Sequence, residues 1–468
     1  MKRISKKAIA LTMAGALVLA ACGGDDGGSD APSTDAPSTE APTDTEAPTD
    51  TEAPTDTEAP TDTEAPAAES WSVSTDDCVD PDAANAPIEG TIKIGSAMPL
   101  SGGPAAIAFA PVKDGFEAYV QWANEQGILG DVTIEVQIED DQYNKDLTPG
   151  AVEKLLDSGV SLFSGIIGTP NNAAVRDILN EECFPQLFAL TGSKNFGDPE
   201  NYPWTTGILI EYSVESRAYA KAISDKFGGS AEVALYTVNN EFGQEYVEAF
   251  EAVAGDFGLT IVAEETHEAT DGTPPVSQIN AIASKAPDAI VAVPLGGACP
   301  PFLTEVANAK AANPGWNPEI YLTATCASSL ILGLAGDAAN GLFTSNNLVD
   351  VLDPEFAAIP AVAEYIAYMQ GLGKDDIKTT ATAGWHTAEM TVAILKQAQE
   401  SPEGLTRASI INAARNFEQA GSLTRPGVVL KSSGVEDPFY SESLQIVQYD
   451  ATAKVFTDVG ELITDFEG

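Results

Sequence analysis

From Thr91 onward the chain alternates short apolar runs with helical stretches, and that alternation restricts the fold more than any other feature. Residues 91–98 (TIKIGSAM), 133–139, 161–167 and 186–190 read as strands, separated by helical stretches over 111–126, 148–158 and 172–182. This order predicts a mostly parallel, doubly wound sheet. The pattern then restarts. Strands over 232–238, 260–265, 289–293 and 319–323 alternate with helices over 213–227, 242–256, 276–285 and 301–312. Helical stretches near 359–371, 380–399 and 407–417 follow, and a β-rich tail over 443–459 closes the chain. Single cores rarely grow past about 250–300 residues. The expected fold class is therefore α/β, with two doubly wound lobes in series and a shared C-terminal part.

The N-terminus carries a different message. Lys2, Arg3, Lys6 and Lys7 precede an apolar run from Ala8 to Ala21. That run is shorter than the roughly 20 apolar residues of a spanning helix and fits an export signal. It ends Leu19-Ala20-Ala21-Cys22, followed by Gly23 and Gly24. The pattern resembles a bacterial lipoprotein signal: residues 1–21 would be removed and Cys22 would receive lipid. The chain is then expected outside the cytoplasm, anchored to the cell membrane by its lipidated N-terminus. Residues 23–70 contain no Phe, Trp, Tyr, Ile, Leu, Val or Met, and TDTEAP recurs four times over 43–66. Such a segment buries no apolar surface to offset its chain entropy, so 22–70 reads as a disordered acidic Thr/Pro/Glu linker. Its threonines are candidates for O-glycosylation.

Charge excludes several functions. The chain has 23 Lys+Arg against 70 Asp+Glu, a formal charge of −47. Phosphate neutralisation needs bases, so nucleic acid is not an expected partner, and a basic patch docking on anionic lipid is equally excluded. Two His leave little material for His-based metal sites or triads. No HExxH or GxSxG occurs, no GxGxxG follows the first strand, and the loop Pro99–Pro104 lacks a phosphate-binding lysine. Neither an enzyme nor a bound cofactor or metal is expected.

Ligands of open α/β sheets bind outside the carboxyl ends of the strands. Gly168-Thr169-Pro170-Asn171 and Thr191-Gly192-Ser193 both follow a strand there. Each sets a hydroxyl and backbone N–H groups at the start of a helix, which suits a carboxylate. Thr169 and Ser193 are equally compatible with ordinary helix caps.

The strings IKIGSAMPLSG (93–102 and flanks), GILGDVTIEVQIEDDQYN, SGIIGT, QLFALTGS and NNEFGQEY, in this order, resemble the solute-binding lipoproteins of the branched-chain amino-acid (Leu/Ile/Val-binding) type. These are extracytoplasmic receptors of ABC importers with the type I periplasmic binding protein fold. The resemblance spans about 90–460. It implies two lobes joined by three crossovers and closing like a flytrap on a small-molecule ligand. Lobe 1 would be 85–210 plus 342–420, and lobe 2 would be 211–341 plus 421–468. Implied partners are ABC permease and ATPase subunits, with the receptor itself a monomer. Gly168, Thr169, Thr191, Gly192 and Ser193 would hold a ligand carboxylate, and Phe242, Phe109, Leu295 (or Gly296) and Trp385 would wall the site. The resemblance also implies a lobe 2 carboxylate for a ligand ammonium. The matching position is near Thr325, with Ala324 and Cys326 beside it, and Glu241 is the nearest loop acid. A buried ammonium without a partner is costly. The expected ligand is thus a carboxylate-bearing solute, either a branched-chain amino acid or an organic acid or amide without an α-amino group. A sensor of the same fold, signalling to a membrane partner, is the alternative function.

With Cys22 lipidated, Cys78, Cys183, Cys299 and Cys326 remain, and four cysteines allow three pairings. Cys299 and Cys326 each follow the end of consecutive lobe 2 strands and are expected to pair. That leaves Cys78 with Cys183, stapling the segment before the domain to lobe 1.

Overall fold

The computed structural model describes residues 71–464. The expected signal segment 1–21, the expected lipidation site Cys22 and the expected linker 22–70 lie outside the described residues, as do residues 465–468.

Five parallel strands form the first sheet: β1 (Thr91–Met98), β2 (Thr133–Asp140), β3 (Leu162–Ser164), β4 (Gln186–Ala189) and β5 (Thr205–Gly207), in the order β2-β1-β3-β4-β5. The second sheet takes β6 (Ala231–Val238), β7 (Leu259–His267), β8 (Ala289–Val293), β9 (Glu319–Leu322) and β10 (Phe343–Asn346) in parallel. A small hairpin, β11 (Asn416–Gln419) with β12 (Leu430–Ser433), stands apart. The antiparallel strands β13 (Gln445–Asp450) and β14 (Val455–Asp458) complete the second sheet, giving β14-β13-β10-β9-β8-β6-β7. Strands such as β8 (AIVAV) are buried along their whole length, because helices cover both faces of a parallel sheet. The alternation read from the sequence is thus a mixed α/β fold with one parallel and one mostly parallel sheet.

The chain crosses between the sheets three times. It leaves the first after β5 and enters the second with the Tyr212–Phe227 helix, whose Ala218, Tyr219 and Ile223 pack on that sheet. It returns after β10, since Val349, Val351 and Val362 belong to the first lobe's core. It crosses last between Tyr440, in the first core, and Leu444, in the second. These positions differ from the expected boundaries at 342 and 421. Strand β10 was hidden because FTSN carries little apolar signal, and the 421–440 segment packs in the first lobe through Leu423, Leu430 and Tyr440.

The first lobe depends on two helices meeting at glycines. The helix expected from 111 begins at Pro104 and runs to Gln126, with Pro111 inside it. It lies on the Lys378–Gln399 helix so closely that a methyl group on Gly384 would collide with the Val112 carbonyl, and one on Gly115 with the Ala381 carbonyl. Beside this contact, Glu389 accepts hydrogen bonds from the Ser422 amide and hydroxyl at 2.8–2.9 Å. The adjoining segment pairs with the second crossing, where the Val349 amide donates to Leu423 and the Arg425 amide to Asn347.

Two disulfides are present. Cys78–Cys183 spans 105 residues and holds the N-terminal segment on the first lobe, and Cys299–Cys326 spans 27 within the second. Neither joins the two lobes. Closing loops of these lengths stabilises by about 3–5 kcal/mol in the chain-entropy model.

Gly384→Ala is expected to cost about 1–3 kcal/mol by overpacking the helix contact. An unchanged denaturant midpoint would contradict that. A second expectation concerns pH. Burial pushes Glu389 up to about 7, against the ordinary 4.5. The folded protein therefore holds this proton more tightly than the unfolded chain, so Glu389 contributes a loss of stability as pH rises from 4.5 to about 7. The difference between wild type and Glu389→Gln in thermal melts across that window isolates the effect, and the variant should show the flatter slope.

Candidate functional site

The carboxyl ends of both sheets open onto one cleft of about 210 Å³. Gly168 and Thr169 reach it at the N-terminus of the Thr169–Glu181 helix, where Gly168 takes φ 105°, a left-handed conformation that favours glycine. Phe109 and Val112 come from the Pro104–Gln126 helix, and Phe109 stacks on Tyr143 at 6.3 Å. The second lobe contributes Phe242, Tyr246, Leu295 and the segment 323–329. The second crossing, 345–351, lines the cleft as well, and so do Thr379, Thr380, Thr382 and Ala383 of the Lys378–Gln399 helix.

On the first-lobe wall of the cleft stands a triangle of hydroxyls, with Thr191 behind Tyr212. Thr169 Oγ1 lies 2.8 Å from Thr191 Oγ1, and each lies 3.2 Å from the Tyr212 hydroxyl. All three residues are buried. Burial pushes the Tyr212 phenol up to about 12, with the two threonines drawing it back. Tyr212 also packs on Phe242 (5.2 Å) and Tyr246 (4.6 Å). One aromatic cluster thus joins the crossing helix to the second lobe. Thr323 accepts or donates a bond to the Tyr246 hydroxyl at 3.2 Å and holds the amide of Thr325 at 3.4 Å.

Around the mouth the two lobes touch. Lys145 pairs with Glu241 at 2.5 Å, and Ser193 Oγ and Asn195 Nδ2 both donate to Glu245 Oε1, at 2.8 and 3.0 Å. The Lys145–Glu241 pair is half exposed, so it stabilises closure by no more than about 1 kcal/mol.

Six of the residues expected from sequence line the cleft: Gly168, Thr169, Phe109, Phe242, Leu295 and Thr325. Four do not. Tyr212 stands between the cleft and the 191–193 loop: its amide donates to the Gly192 carbonyl, its ring packs on Gly192, and its hydroxyl covers Thr191. Ser193 faces Glu245 instead. Trp385 is 3% exposed in the first lobe's core, edge-on to Tyr119 and Tyr365 at 5.0 Å. The cleft takes the turn before it, Thr379–Ala383. Glu241, the nearest loop acid, is engaged by Lys145 at the rim.

Sequence reasoning missed Tyr143, Tyr212, Glu215 and the second crossing. Glu215 lines the cleft from inside a helix, three residues after Tyr212 and hence on the same face. Burial raises its carboxyl, while bonds from Ser345, Tyr219 and the Ala324 amide oppose that. Asp350, also lining the cleft, is raised by burial too. Among the described residues the lining contains no Lys, Arg or His. No group of three or more His, Cys, Asp or Glu placed to hold a metal is found among them, and no helix there is long and apolar enough to cross a membrane.

If Tyr212 is the central post of the site, Tyr212→Phe should weaken ligand binding about 3- to 10-fold, the effect of one neutral hydrogen bond. Ser193→Ala should change affinity less, because Ser193 contacts only the closing rim, and Trp385→Leu should lower the melting temperature first. Isothermal titration of the three variants reads the order, and equal losses in all three would contradict it.

Known proteins share this architecture. A branched chain amino acid ABC transporter protein from Thermus thermophilus, solved with bound valine, superimposes with TM-score 0.70 at 21% identity, over 80% of this chain and 97% of that one. A fatty acid ABC transporter substrate-binding protein from Thermomonospora curvata gives TM-score 0.68 at 20% identity, over 81% and 94%. A solute-binding protein from Rhodopseudomonas palustris HaA2, in complex with p-hydroxybenzoic acid, gives 0.67 at 18%, over 80% and 97%. A comparison with curated proteins finds no match. The periplasmic binding protein family matches residues 91–445, three quarters of the chain, and the protein belongs to that family.

Proposed function

We propose that this protein is the extracytoplasmic solute-binding receptor of an ABC importer, tethered to the bacterial cell membrane by lipid on Cys22. The single observation that carries this reading is the cleft. Both lobes and the second crossing wall it, so a bound solute touches each and favours the closed arrangement. Enzyme chemistry is not part of the proposal, since the family is one of binding proteins.

The lining also supports the kind of solute. The Thr169–Glu181 helix N-terminus and the hydroxyls of Thr169 and Tyr212 supply partial positive charge for a carboxylate. Phe109, Phe242, Leu295 and Val112 supply apolar walls. A small carboxylate-bearing solute with an apolar body fits both, and branched-chain amino acids and related organic acids or amides are the classes to test. The similar proteins crystallised with valine and with p-hydroxybenzoic acid hold ligands of that general build. The linker 22–70 would let the receptor reach a permease while anchored, and the permease would read the closed form.

Two measurements test this. Thermal melts across a panel of amino acids and organic acids should show one class raising the melting temperature with concentration, as binding to the native state requires. Mass spectrometry of the membrane-extracted protein should find acyl chains on an N-terminal Cys22, absent in Cys22→Ala. A melt unmoved by the whole panel would contradict the receptor reading, and an unmodified N-terminus would contradict the anchor.

A further inference from the structure

Two loops at the carboxyl ends of second-sheet strands both wall the cleft and touch the first lobe. Loop 294–299 follows β8 and gives the cleft Leu295. It also lies tight against the first lobe: a methyl group on Gly297 would meet the Pro104 carbonyl at 2.7 Å, and one on Gly296 the Ala108 side chain at 3.1 Å. Loop 323–329 follows β9 and gives the cleft Thr323–Thr325 and Ala327–Ser329. It reaches the first lobe separately, where Ser328 Oγ lies 3.4 Å from Thr379 Oγ1.

The backbone does little to hold these loops to each other. The β8–β9 register ends at Ala292 and Leu322, followed by one bond from the Thr323 amide to the Ala292 carbonyl. Past that point no backbone hydrogen bond joins the two loops among the described residues. The Cys299–Cys326 disulfide does join them. Cys299 ends the first loop and opens the Cys299–Ala312 helix, and Cys326 closes the turn Ala324–Cys326 within the second. Both cysteines are fully buried, in the same apolar cluster as Ala108 of the first lobe.

We propose that the Cys299–Cys326 disulfide is a positioning element for solute binding. It makes the two loops one wall, so that the Gly296–Gly297 and Ser328–Thr379 contacts with the first lobe form together around the solute. The inference rests on the cleft being the solute site. The other disulfide has no such place. Cys78–Cys183 pins the N-terminal segment, and no residue flanking either cysteine lines the cleft, whereas Thr325 and Ala327, on either side of Cys326, both do. Loops without the bridge would have to be ordered one by one as the solute arrives. Fixing even one extra residue on binding weakens affinity about 10-fold. With the bridge, that ordering is complete once the chain has folded.

Two double variants separate positioning from stability: Cys299→Ala/Cys326→Ala, and Cys78→Ala/Cys183→Ala as its control. Both should lower the melting temperature. Isothermal titration then uses the member of the amino-acid and organic-acid panel that raises the wild-type melting temperature most, starting from L-valine, L-leucine and p-hydroxybenzoate. Cys299→Ala/Cys326→Ala should weaken that probe about 10-fold, and the control by less than about 2-fold, as expected of a distant site. Unchanged affinity in Cys299→Ala/Cys326→Ala, or equal losses in the two variants, overturns the proposal and leaves the receptor reading standing. If the wild type binds no member of the panel, the receptor reading falls and takes this proposal with it. Hydrogen–deuterium exchange of the unliganded protein tests the coupling with both disulfides intact. Gly297→Ala presses its loop away from Pro104. A joined wall should then lose protection at 323–329 as well as at 294–299. Loss confined to 294–299 and the facing 104–109 overturns the proposal even if the cysteine variants fail to fold.

Discussion

The structure turns on Tyr212. Its backbone amide is held by Gly192 of the first lobe, its hydroxyl meets Thr169 and Thr191, and its ring packs on Phe242 and Tyr246 of the second lobe. One side chain at the first crossing thereby joins the carboxyl ends of two parallel sheets. The cleft forms where those ends face each other. The hydroxyl triangle lies at its tip, and Glu215 follows one helical step later.

The energetics divide the molecule by task. Each lobe is fixed by burial and by a disulfide of its own, and the first also by the glycine-mediated helix contact. Between the lobes run two ion pairs, Lys145–Glu241 and Arg425–Asp458, two bonds to Glu245, an apolar cluster around Ala105, Tyr212 and Phe242, and the close packing of Pro104 and Ala108 on Gly296 and Gly297. In a solute-driven closure, a ligand shifts the equilibrium only by its differential affinity for the two arrangements.

Much of this was legible in the sequence, for a physical reason. Parallel strands buried on both faces are continuous apolar runs, so β1, β6 and β8 stood out, and strand-end loops such as Gly168–Thr169 and Phe242 follow from them. The losses have equally specific causes. Strand β10 and the crossings are short and polar, so the lobe boundaries fell at 342 and 421 instead of near 347 and 441–444. The 191–193 loop was read correctly as a strand-end loop, but no local signal shows that Tyr212, twenty residues on, would cover it. Trp385 was ambiguous between wall and core because a helix face alone does not say which neighbour it meets, and four aromatic rings claim it. The search for an acid was confined to loops near Thr325 and Glu241, whereas Glu215, one of the cleft's two acids, sits within a helix and is bonded by the Ala324 amide of that loop.

The most direct test of the cleft as a solute site is hydrogen–deuterium exchange of the whole protein with and without a solute that raises its melting temperature. The account predicts new protection on both lobes and the second crossing together: around 166–170, 209–215, 323–329 and 345–351, with little change in the Cys78–Cys183 region. Protection confined to one lobe, or falling outside these four segments, would contradict it.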